Sequence, residues 1–390
     1  MAVRVAIASA VRTPFTRAGK GEFKDTRPDT LAAEAIKAAV ARVPGLSASD
    51  VEDVILGCAM PEAEQGMNVA RIAALLAGLP DTVPALTINR FCSSGVQSIA
   101  QAAQAIASGS IEVAVAGGTE SMSMIPMGGN KVSANPDVME KHPEVYTSMG
   151  ATAEQVAKRF SVPRDAQDQL AFQSQQRAAK ARAEGKFKDE IIPVTTRVYD
   201  DAGVGKDVTV TEDTILRPET TLEGLQKLKP AFDPQGTVTA GNASPLTDGA
   251  AAAVVMSEAK AKALGIQPLG YFIDLQVAGV PPDIMGIGPV PAVRKLLAKN
   301  KLEVKDIDVF ELNEAFGAQA AYCIRELGLD PSKVNPNGGA IALGHPLGVS
   351  GTRMTATILR ELKRRGGRYG VVTMCIGGGM GAAALFEVAK

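Results

Sequence analysis

The feature that most restricts the fold of this chain is a pair of similar stretches, one in each half. In the first half, CSSGVQ (92–97) opens a helical pattern, and the strand-like run IEVAVAGGTESM (111–122) follows. In the second half, HPLGVS (345–350) opens a helical pattern, and YGVVTMCIGGGM (369–380) follows. Each stretch places a reactive side chain three residues before a glycine at the start of a helix. The repeat predicts a duplicated unit of strand and helix.

Strand-like and helical patterns alternate along both halves of the chain. Buried strands are predicted at 3–9, 52–57, 84–89, 112–116, 270–279, 307–311 and 369–375. Helices are predicted at 30–43, 68–78, 93–109, 289–299, 314–327 and 350–364. This alternation indicates an α/β fold in which helices cover the sheets.

The two halves differ in how soon a closing strand follows the repeat. GAAALFEVA (381–389) follows directly in the second half, whereas DGAAAAVVMSE (248–258) comes only after more than a hundred further residues in the first. We therefore predict an insertion into the first copy. The predicted domains are an N-terminal core of 1–119 with 249–269, an inserted loop domain of 120–248, and a C-terminal core of 270–390.

Composition excludes several classes of function. Lys and Arg number 41 and Asp and Glu number 42, which gives no reason to expect nucleic acid or a membrane surface as a partner. No apolar run is long enough to span a bilayer, and the N-terminus has the pattern of a strand. Four cysteines without disulfide-type spacing predict a cytoplasmic location. Two histidines and no CxxC pair argue against a metal site.

Cys92 lies at the predicted joint between a buried strand and a helix, in NRFCSSGVQS (89–98). A helix N-terminus offers free N–H groups and partial positive charge, which lower the pKa of a thiol placed there. The same N–H groups can hold an oxyanion beside the sulfur. The joint suits a nucleophile that forms an acyl intermediate. The alternative is that Cys92 is a small buried hydrophobic residue.

Three other motifs add chemistry to this joint. GHPLG (344–348) places a histidine at the matching joint of the second half, where it could serve as a base or could be structural. CIGGGMG (375–381) places a cysteine before glycines at a strand end; the alternative is a plain strand-to-turn connection. ELNEAFGAQ (311–319) places Asn313 and Glu314 where a strand gives way to a helix, and the alternative is an N-cap asparagine.

Together these motifs resemble the thiolase family over essentially the whole chain. The stretches that carry the resemblance are NRFCSSGVQSI, AGGTESMSMIPM, VTAGNASPLTDGAAA, NEAFGAQA, NPNGGAIALGHPLGVSG and MCIGGGMGAAALFE. The resemblance implies two similar αβ domains packed as a five-layer αβαβα core, with a loop domain emerging from the first. It also implies cleavage or formation of a carbon–carbon bond beside a thioester.

The resemblance implies a role for each residue of the catalytic set. Cys92 would carry the acyl group, and His345 would activate its thiol. Cys375 would move the proton on the α-carbon of the acetyl unit. Asn313, through a water, would help His345 to hold the thioester or enolate oxygen. The backbone N–H groups of Cys92 and Gly377 would hold the oxygen of the tetrahedral intermediate.

The resemblance further implies that acyl-CoA and CoA bind as substrates, with no permanently bound cofactor. Ser244 falls at the family's contact with pantetheine, and Arg217 and Phe232 fall where the nucleotide end of CoA is held. Met149 and Phe316 would line the acyl pocket.

Three departures bear on the substrate and the assembly. Position 245 is Pro where many short-chain members have Gly, Ser148 stands where a His is familiar in biosynthetic enzymes, and the segment 121–150 is shorter. They favour a broad 3-ketoacyl-CoA thiolase over a biosynthetic acetoacetyl-CoA thiolase, and a homodimer over a tetramer. Two further functions compete with thiolysis: that of a decarboxylating or chain-extending condensing enzyme, and that of a non-catalytic acyl-CoA or lipid carrier.

Overall fold

The computed structural model describes residues 3–200 and 202–389. Apolar runs form the strands of the first half, and alanine-rich runs form its helices. In chain order these are β1 Val5–Arg12, β2 Thr16–Arg17, α1 Pro28–Ala41, β3 Asp53–Gly57, α2 Val69–Leu76, β4 Ala85–Ile88, α3 Ser94–Ala107 and β5 Val113–Ser121. Helix α1 begins at a proline, which is favourable there because the first N–H of a helix has no intrahelical partner.

A long segment separates β5 from the next strand of the main sheet. Its elements are α4 Pro136–Lys141, α5 Met149–Arg159, α6 Arg164–Ala183, β6 Val194–Tyr199, β7 Gly205–Val210 and α7 Leu222–Gln226. Helix α6 is polar along its length, and β6 and β7 form a separate antiparallel pair. Among the described residues, no helix combines the length and apolarity needed to cross a membrane.

The second half begins as the chain returns to the main sheet. Its elements are β8 Thr247–Ser257, α8 Glu258–Ala263, β9 Gly270–Gly279, α9 Pro289–Lys299, β10 Val309–Leu312, α10 Gly317–Leu327, α11 Ala340–Leu343, α12 Ser350–Arg365, β11 Tyr369–Ile376 and β12 Met380–Val388. Gly328 and Gly366 end α10 and α12 in the left-handed conformation that glycine adopts without steric cost.

The order of strands in the main sheet confirms the duplication. The order is β10-β11-β12-β9-β1-β8-β5-β3-β4, with β2 paired to β8. Outward from the centre, β1-β8-β5-β3 and β9-β12-β11-β10 repeat the same pairings, two antiparallel and then one parallel. The halves meet where β1 and β9 pair antiparallel, with Ala6 opposite Tyr271.

The strands of each half are covered by helices on both faces. Side chains alternate across a strand, so Val54 and Leu56 of β3 pack towards α1 and α2, and Ile55 packs towards α3. Helices α3 and α12 share one hydrophobic cluster between the halves. Helices α9 and α10 cover the outer face of the second half. This arrangement confirms the predicted five-layer αβαβα core.

The inserted segment packs closely against the second half of the chain. Helices α5 and α6 both contact α10, and α6 also contacts α11. Val156 of α5 lies in the cluster built around α9 and α10, and Ala178 of α6 packs with Leu343 of α11. Although the segment interrupts the first copy, it therefore lies over the α10 and α11 motifs of the second.

Most predicted elements lie within a few residues of the observed ones, and two differ in ways that affect the site. Strand β5 continues to Ser121, well past the predicted end at 116, because its pairing with β8 continues through Glu120 opposite Gly249. The helix predicted from 314 begins at Gly317. Residues Asn313 to Phe316 therefore form an extended approach to α10, which frees the side chain of Asn313 from capping.

Candidate active site

Cys92 lies in a tight turn between β4 and α3. Residues Phe91–Ser93 form a short 3₁₀ turn, and Phe91 has a φ of 43°, which is uncommon for a residue other than glycine. Ser94 stabilises the turn by accepting a hydrogen bond from the N–H of Arg90 at 2.7 Å. The thiol is 1% exposed and packs with Met122 and Leu347.

The Cys92 thiol is less acidic than its position at a helix start suggested. Burial raises its pKa to about 12, and the negative charge of Glu120 adds to the rise. The backbone N–H groups of Gly377 and of Cys92 itself are directed at the sulfur and act in the opposite direction. The expectation of a lowered pKa was therefore wrong for the resting protein, because removal of water outweighs two N–H dipoles. The thiol needs a base when it reacts.

His345 is held in one tautomer by hydrogen bonds on both ring nitrogens. The Ser350 hydroxyl donates to the carbonyl of Pro346 at 2.9 Å, so its oxygen accepts from Nδ1–H of His345 at 2.6 Å. On the other side, Nδ2 of Asn313 lies 3.2 Å from Nε2. Nδ1 therefore carries the ring proton, and the unprotonated Nε2 accepts a hydrogen bond from Nδ2 of Asn313.

The environment of His345 keeps the imidazole neutral. It is 4% exposed, and burial together with the positive charge of Arg353 lowers its pKa to about 3. Leu347, two residues further on, packs against Cys92. The turn formed by residues 344–348, here called the histidine turn, therefore lies beside Cys92. A neutral imidazole with an unprotonated Nε2 is the form that a general base requires.

Cys375 lies at the end of β11 and is fully buried. It packs with Met149, Phe316 and Ala318. Its pKa is raised well above the usual range, first by burial and then by the proximity of Cys92. The two thiols therefore face the same small region, and Cys375 is held in its protonated form.

Gly377 follows this strand and directs its N–H at Cys92. A methyl group added at Gly377 would lie 3.6 Å from the ring of Phe91 and 3.8 Å from Cε of Met149, which are ordinary contacts. The glycine thus leaves open a space bounded by Phe91 and Met149. That space adjoins the two N–H groups that converge on the sulfur.

Asn313 is buried beside His345 and does not cap α10. Its N–H donates to the carbonyl of Thr373 at 2.9 Å, which fixes it beside β11. Its Nδ2 faces His345, and its Oδ1 has no partner among the described residues. The neighbouring Glu314 is instead committed to structure, since it accepts hydrogen bonds from Ser174 and Asn335.

The residues expected to bind substrate fall into two groups. Met149 and Phe316 pack with Cys375, and Phe232 meets the ring of Phe316 edge-on with centroids 5.9 Å apart. The Ser244 hydroxyl donates to the carbonyl of Ala315 at 3.1 Å. Because Ala315 directly precedes Phe316, Ser244 lies next to this group.

Arg217 lies apart from that group. Its side chain is exposed and has no partner among the described residues. Its backbone N–H donates to Gln175 of α6 at 3.0 Å. Two residues earlier, Ile215 approaches Gly344, the residue before His345. Arg217 thus lies at the outer end of a segment whose inner part contacts the histidine turn.

Sequence reasoning missed two polar residues that organise this site. Ser350 stands out in the sequence only as part of a helix start, and Glu120 only as part of a longer motif. Glu120 is 1% exposed and accepts from the N–H groups of Ala59 and Gly348, both at 2.8 Å. One signal in the sequence could have identified Glu120: it follows the apolar and small residues of a predicted buried strand. A carboxylate that is buried in this way needs hydrogen-bond donors dedicated to it.

Asp248 is a third buried group that the sequence did not single out. At the start of β8, it accepts from the N–H of Ser123 at 2.9 Å and also from the Ser123 hydroxyl. This fixes the chain next to Met122, which packs on Cys92. Burial is the largest influence on its pKa and raises it to about 6.

The raised pKa of Asp248 predicts a pH dependence of stability. A carboxyl whose pKa is higher in the folded state stabilises the fold below the unfolded value of 3.8, and this contribution is lost as pH rises through about 6. Asp248→Asn should remove the dependence. Between pH 4 and 7, its free energy of unfolding should rise relative to wild type by up to about 3 kcal/mol. Urea unfolding at several pH values measures this, and parallel curves for the two proteins would contradict it.

Within the described ranges, no group of three or more His, Cys, Asp or Glu residues is arranged to hold a metal ion. The site itself brings together two thiols, one imidazole and converging N–H groups. Such a set can transfer an acyl group through a thioester and can move a proton beside a carbonyl.

Comparisons with known proteins agree with this chemistry. The models of the thiolase N-terminal and C-terminal domains match residues 5–259 and 266–388. A 3-ketoacyl-CoA thiolase of Bacillus subtilis (strain 168) is 54% identical over 386 residues, covering 98% of each chain. A peroxisomal 3-ketoacyl-CoA thiolase of Homo sapiens is 50% identical over 389 residues, covering 99% of this chain and 91% of that protein. The structure of an acetyl-CoA acetyltransferase of Bacillus anthracis superposes with a TM-score of 0.90 at 43% identity, covering 99% of each chain. The chain therefore belongs to the thiolase family, as its motifs predicted.

Proposed function

We propose that this protein is an acyltransferase that cleaves 3-ketoacyl-CoA with CoA, giving acetyl-CoA and a shortened acyl-CoA, and that it catalyses the reverse condensation. The observation that carries the proposal is the proximity of Cys375 to Cys92, whose sulfur faces the Gly377 N–H. The turn that carries His345 packs against Cys92 through Leu347. The names of the relatives from Bacillus subtilis and Homo sapiens support the same reaction.

The first half-reaction forms an acyl-enzyme. Nε2 of His345 takes the Cys92 proton as the sulfur attacks the 3-keto carbon of the substrate. The N–H groups of Cys92 and Gly377 hold the oxyanion that forms on that carbon. The bond between C2 and C3 then breaks, and its electron pair remains on the acetyl-CoA unit as an enolate. Cys375, which is protonated at rest, supplies the proton that turns this enolate into acetyl-CoA.

The second half-reaction returns the enzyme to its resting state. The proton held by His345 first passes to the thiolate of Cys375. His345 then takes the proton of an incoming CoA thiol, and the CoA sulfur attacks the acyl-Cys92 thioester. The same two N–H groups hold the second oxyanion, and Cys92 leaves as a thiolate that regains the proton held by His345. Every proton that moves is thus carried by one of the two thiols or by the imidazole, with Asn313 positioned to orient Nε2.

We also propose that residues 120–248 form the CoA-binding loop domain, between a core of 1–119 with 249–269 and a core of 270–390. Ser244 and Phe232 would contact the pantetheine and nucleotide portions, and Met149 and Phe316 would line the acyl pocket. Their proximity to Cys375 supports this division. A homodimer and a cytoplasmic location remain predictions, with a tetramer as the alternative assembly.

Arg217→Ala should raise the KM for CoA and acyl-CoA, with kcat little changed. An exposed guanidinium without a protein partner is available to a phosphate group, and loss of a contact that is equal in ground and transition states appears in KM alone. Arg197→Ala, at another exposed arginine of the inserted segment, is the matched control and should change neither constant. Steady-state kinetics with varied CoA measures both. A collapse of kcat at unchanged KM would contradict this role.

The proposed function is tested by thiolysis of acetoacetyl-CoA and of a medium-chain 3-ketoacyl-CoA. We expect CoA-dependent release of acetyl-CoA from both, with kcat/KM for the medium chain at least equal to that for acetoacetyl-CoA. A marked preference for acetoacetyl-CoA would favour the biosynthetic alternative, which the name of the Bacillus anthracis structure supports. Binding of CoA without any cleavage would favour a non-catalytic carrier.

A further inference from the structure

We propose that Glu120 and Asn89 are positioning residues that hold the Cys92 turn and the His345 turn at a fixed separation. The inference rests on the proposed function, in which His345 takes the Cys92 proton. The two turns come from different halves of the chain, so their separation depends on what lies between them. A continuous series of hydrogen bonds joins them, and Glu120 is at its centre.

The series begins at the histidine turn. The N–H of Gly348, three residues after His345, donates to Oε2 of Glu120 at 2.8 Å. The same oxygen accepts from the N–H of Ala59, also at 2.8 Å. A single carboxylate oxygen therefore binds the turn of the second half and the loop after β3 of the first half.

The series continues from that loop to the nucleophile. The carbonyl of Ala59 accepts from Nδ2 of Asn89 at 3.0 Å, and Oδ1 of Asn89 accepts from the N–H of Phe91 at 2.8 Å. Phe91 directly precedes Cys92 and carries the positive φ of the turn. Asn89 thus holds Phe91 in its positive-φ backbone conformation, which is energetically unfavourable for a residue other than glycine.

A close fit of backbones supports the same separation. The carbonyl oxygen of Gly348 lies 2.1 Å from the position that a Cβ would take at Gly118, and 2.8 Å and 2.9 Å from those at Gly57 and Gly95. The histidine turn therefore lies in a recess of the first half that only glycine can line. The contact of the Gly348 carbonyl with these glycines fixes how deeply the turn lies in the recess. Glu120 fixes the orientation of the turn.

Electrostatics separates positioning from direct activation. Glu120 raises the pKa of Cys92, so its charge opposes formation of the thiolate. The carboxylate also accepts from Met60 N–H at 3.2 Å and from Gln65 Nε2 at 2.9 Å, so both oxygens face donors only. If the charge were its main influence, Glu120→Gln would make Cys92 more reactive. If positioning dominates, the same change makes Cys92 less reactive. The glutamine NH₂ group would face N–H donors that now bind the carboxylate, so the two turns would move apart.

The first measurement is alkylation of Cys92 by iodoacetamide at pH 7, followed by peptide mapping. Glu120→Gln should slow it by roughly 10–100-fold, the loss expected when reacting groups are displaced by about 1 Å. In a His345→Asn background the same change should not slow alkylation, since the group whose position matters is gone and only the charge of Glu120 then acts on the thiol. Slower alkylation is expected only where His345 is present. Faster or unchanged alkylation of Glu120→Gln with His345 in place, or an equal loss in the His345→Asn background, would overturn the inference.

The second measurement is kcat for thiolysis per mole of Cys92 that labelled acetyl-CoA converts to acetyl-enzyme, which counts folded protein only. Glu120→Gln and Asn89→Ala should each lower kcat with KM within about twofold, and the double variant should lose little more than Glu120→Gln alone. Independent, multiplying losses would contradict a single series. Asn89 is exposed, so Asn89→Ala keeps the test available if Glu120→Gln folds poorly.

The matched control is Glu361→Gln, which alters another buried carboxylate near the end of α12, eleven residues beyond Ser350. Glu361 accepts from Nδ2 of Asn337 at 3.0 Å and from Nε of Arg364 at 2.9 Å. It should lose stability but keep kcat per Cys92. The two proposals fail in different ways. A wild-type protein without thiolysis ends the proposed function, whereas its alkylation rates still decide the role of Glu120.

Discussion

Cys375→Ser is expected to keep acetyl transfer and to lose carbon–carbon cleavage. Acetyl transfer from acetyl-CoA requires Cys92, His345 and the two converging N–H groups, none of which the change removes. Cleavage of acetoacetyl-CoA also requires an acid at the α-carbon. A serine hydroxyl has a pKa too high for that role, so thiolysis should fall by roughly 10²–10⁴-fold, the usual size of a general acid–base contribution.

Two assays read this division of labour in the same protein samples. Labelled acetyl-CoA should still form an acetyl-enzyme in Cys375→Ser and should still exchange label with free CoA. Cys92→Ser is the matched control and should fail both this assay and thiolysis. If Cys375→Ser loses acetyl-enzyme formation as completely as Cys92→Ser does, then Cys375 takes part in activating the nucleophile.

Much of the fold could be predicted because the informative patterns are local. The continuous apolar run of β3 and the glycine after α12 indicate a buried strand and a helix end without reference to the rest of the chain. The repeat then relates the halves, and the late strand β8 reveals that a segment interrupts the first copy. What local patterns could not show is where that segment lies, since its contacts with α10 and α11 join residues far apart in sequence.

The sequence could predict only those residues of the candidate site that belong to recognisable motifs. The sequence marked Cys92, His345 and Cys375, and the structure places their turns together. It did not mark Glu120 or Ser350, because the value of a buried polar residue depends on the partners that the fold brings to it. Ser350 matters only because its hydroxyl accepts from His345, and Glu120 only because four N–H donors face it.

The pKa of Cys92 could not be predicted from the sequence for the same reason, because it depends on the surroundings that the fold creates. The helix start is visible in sequence, and on its own it would lower the pKa of the thiol. Burial to 1% exposure is a property of the whole fold, and its effect is larger. The resting site therefore holds a neutral thiol and a neutral imidazole on turns that pack together, and this has a measurable consequence.

The consequence concerns the rate of Cys92 alkylation as a function of pH. His345→Asn should change both the size of this rate and its dependence on pH. In the wild type, His345 is neutral at every pH well above about 3, so alkylation assisted by this base should be flat between pH 6 and 9. In the variant, only thiolate already present can react. With a pKa of about 12, its fraction is on the order of 10⁻⁵ at pH 7 and rises tenfold per pH unit.

His345→Asn should therefore react at least about 10³-fold more slowly at pH 7, and the gap should narrow by about tenfold with each unit of rising pH. The same loss should appear in acetyl-enzyme formation, which needs the same proton transfer. Cys58 and Cys323, which are buried and have pKa values raised chiefly by burial, are the internal controls and should react later than Cys92 in the wild type. A wild-type profile that instead titrates with a pKa near 7 or 8 would show a thiolate–imidazolium pair at rest. In that case the two N–H groups and the imidazolium would outweigh burial, and His345 would act by its charge before the substrate arrives.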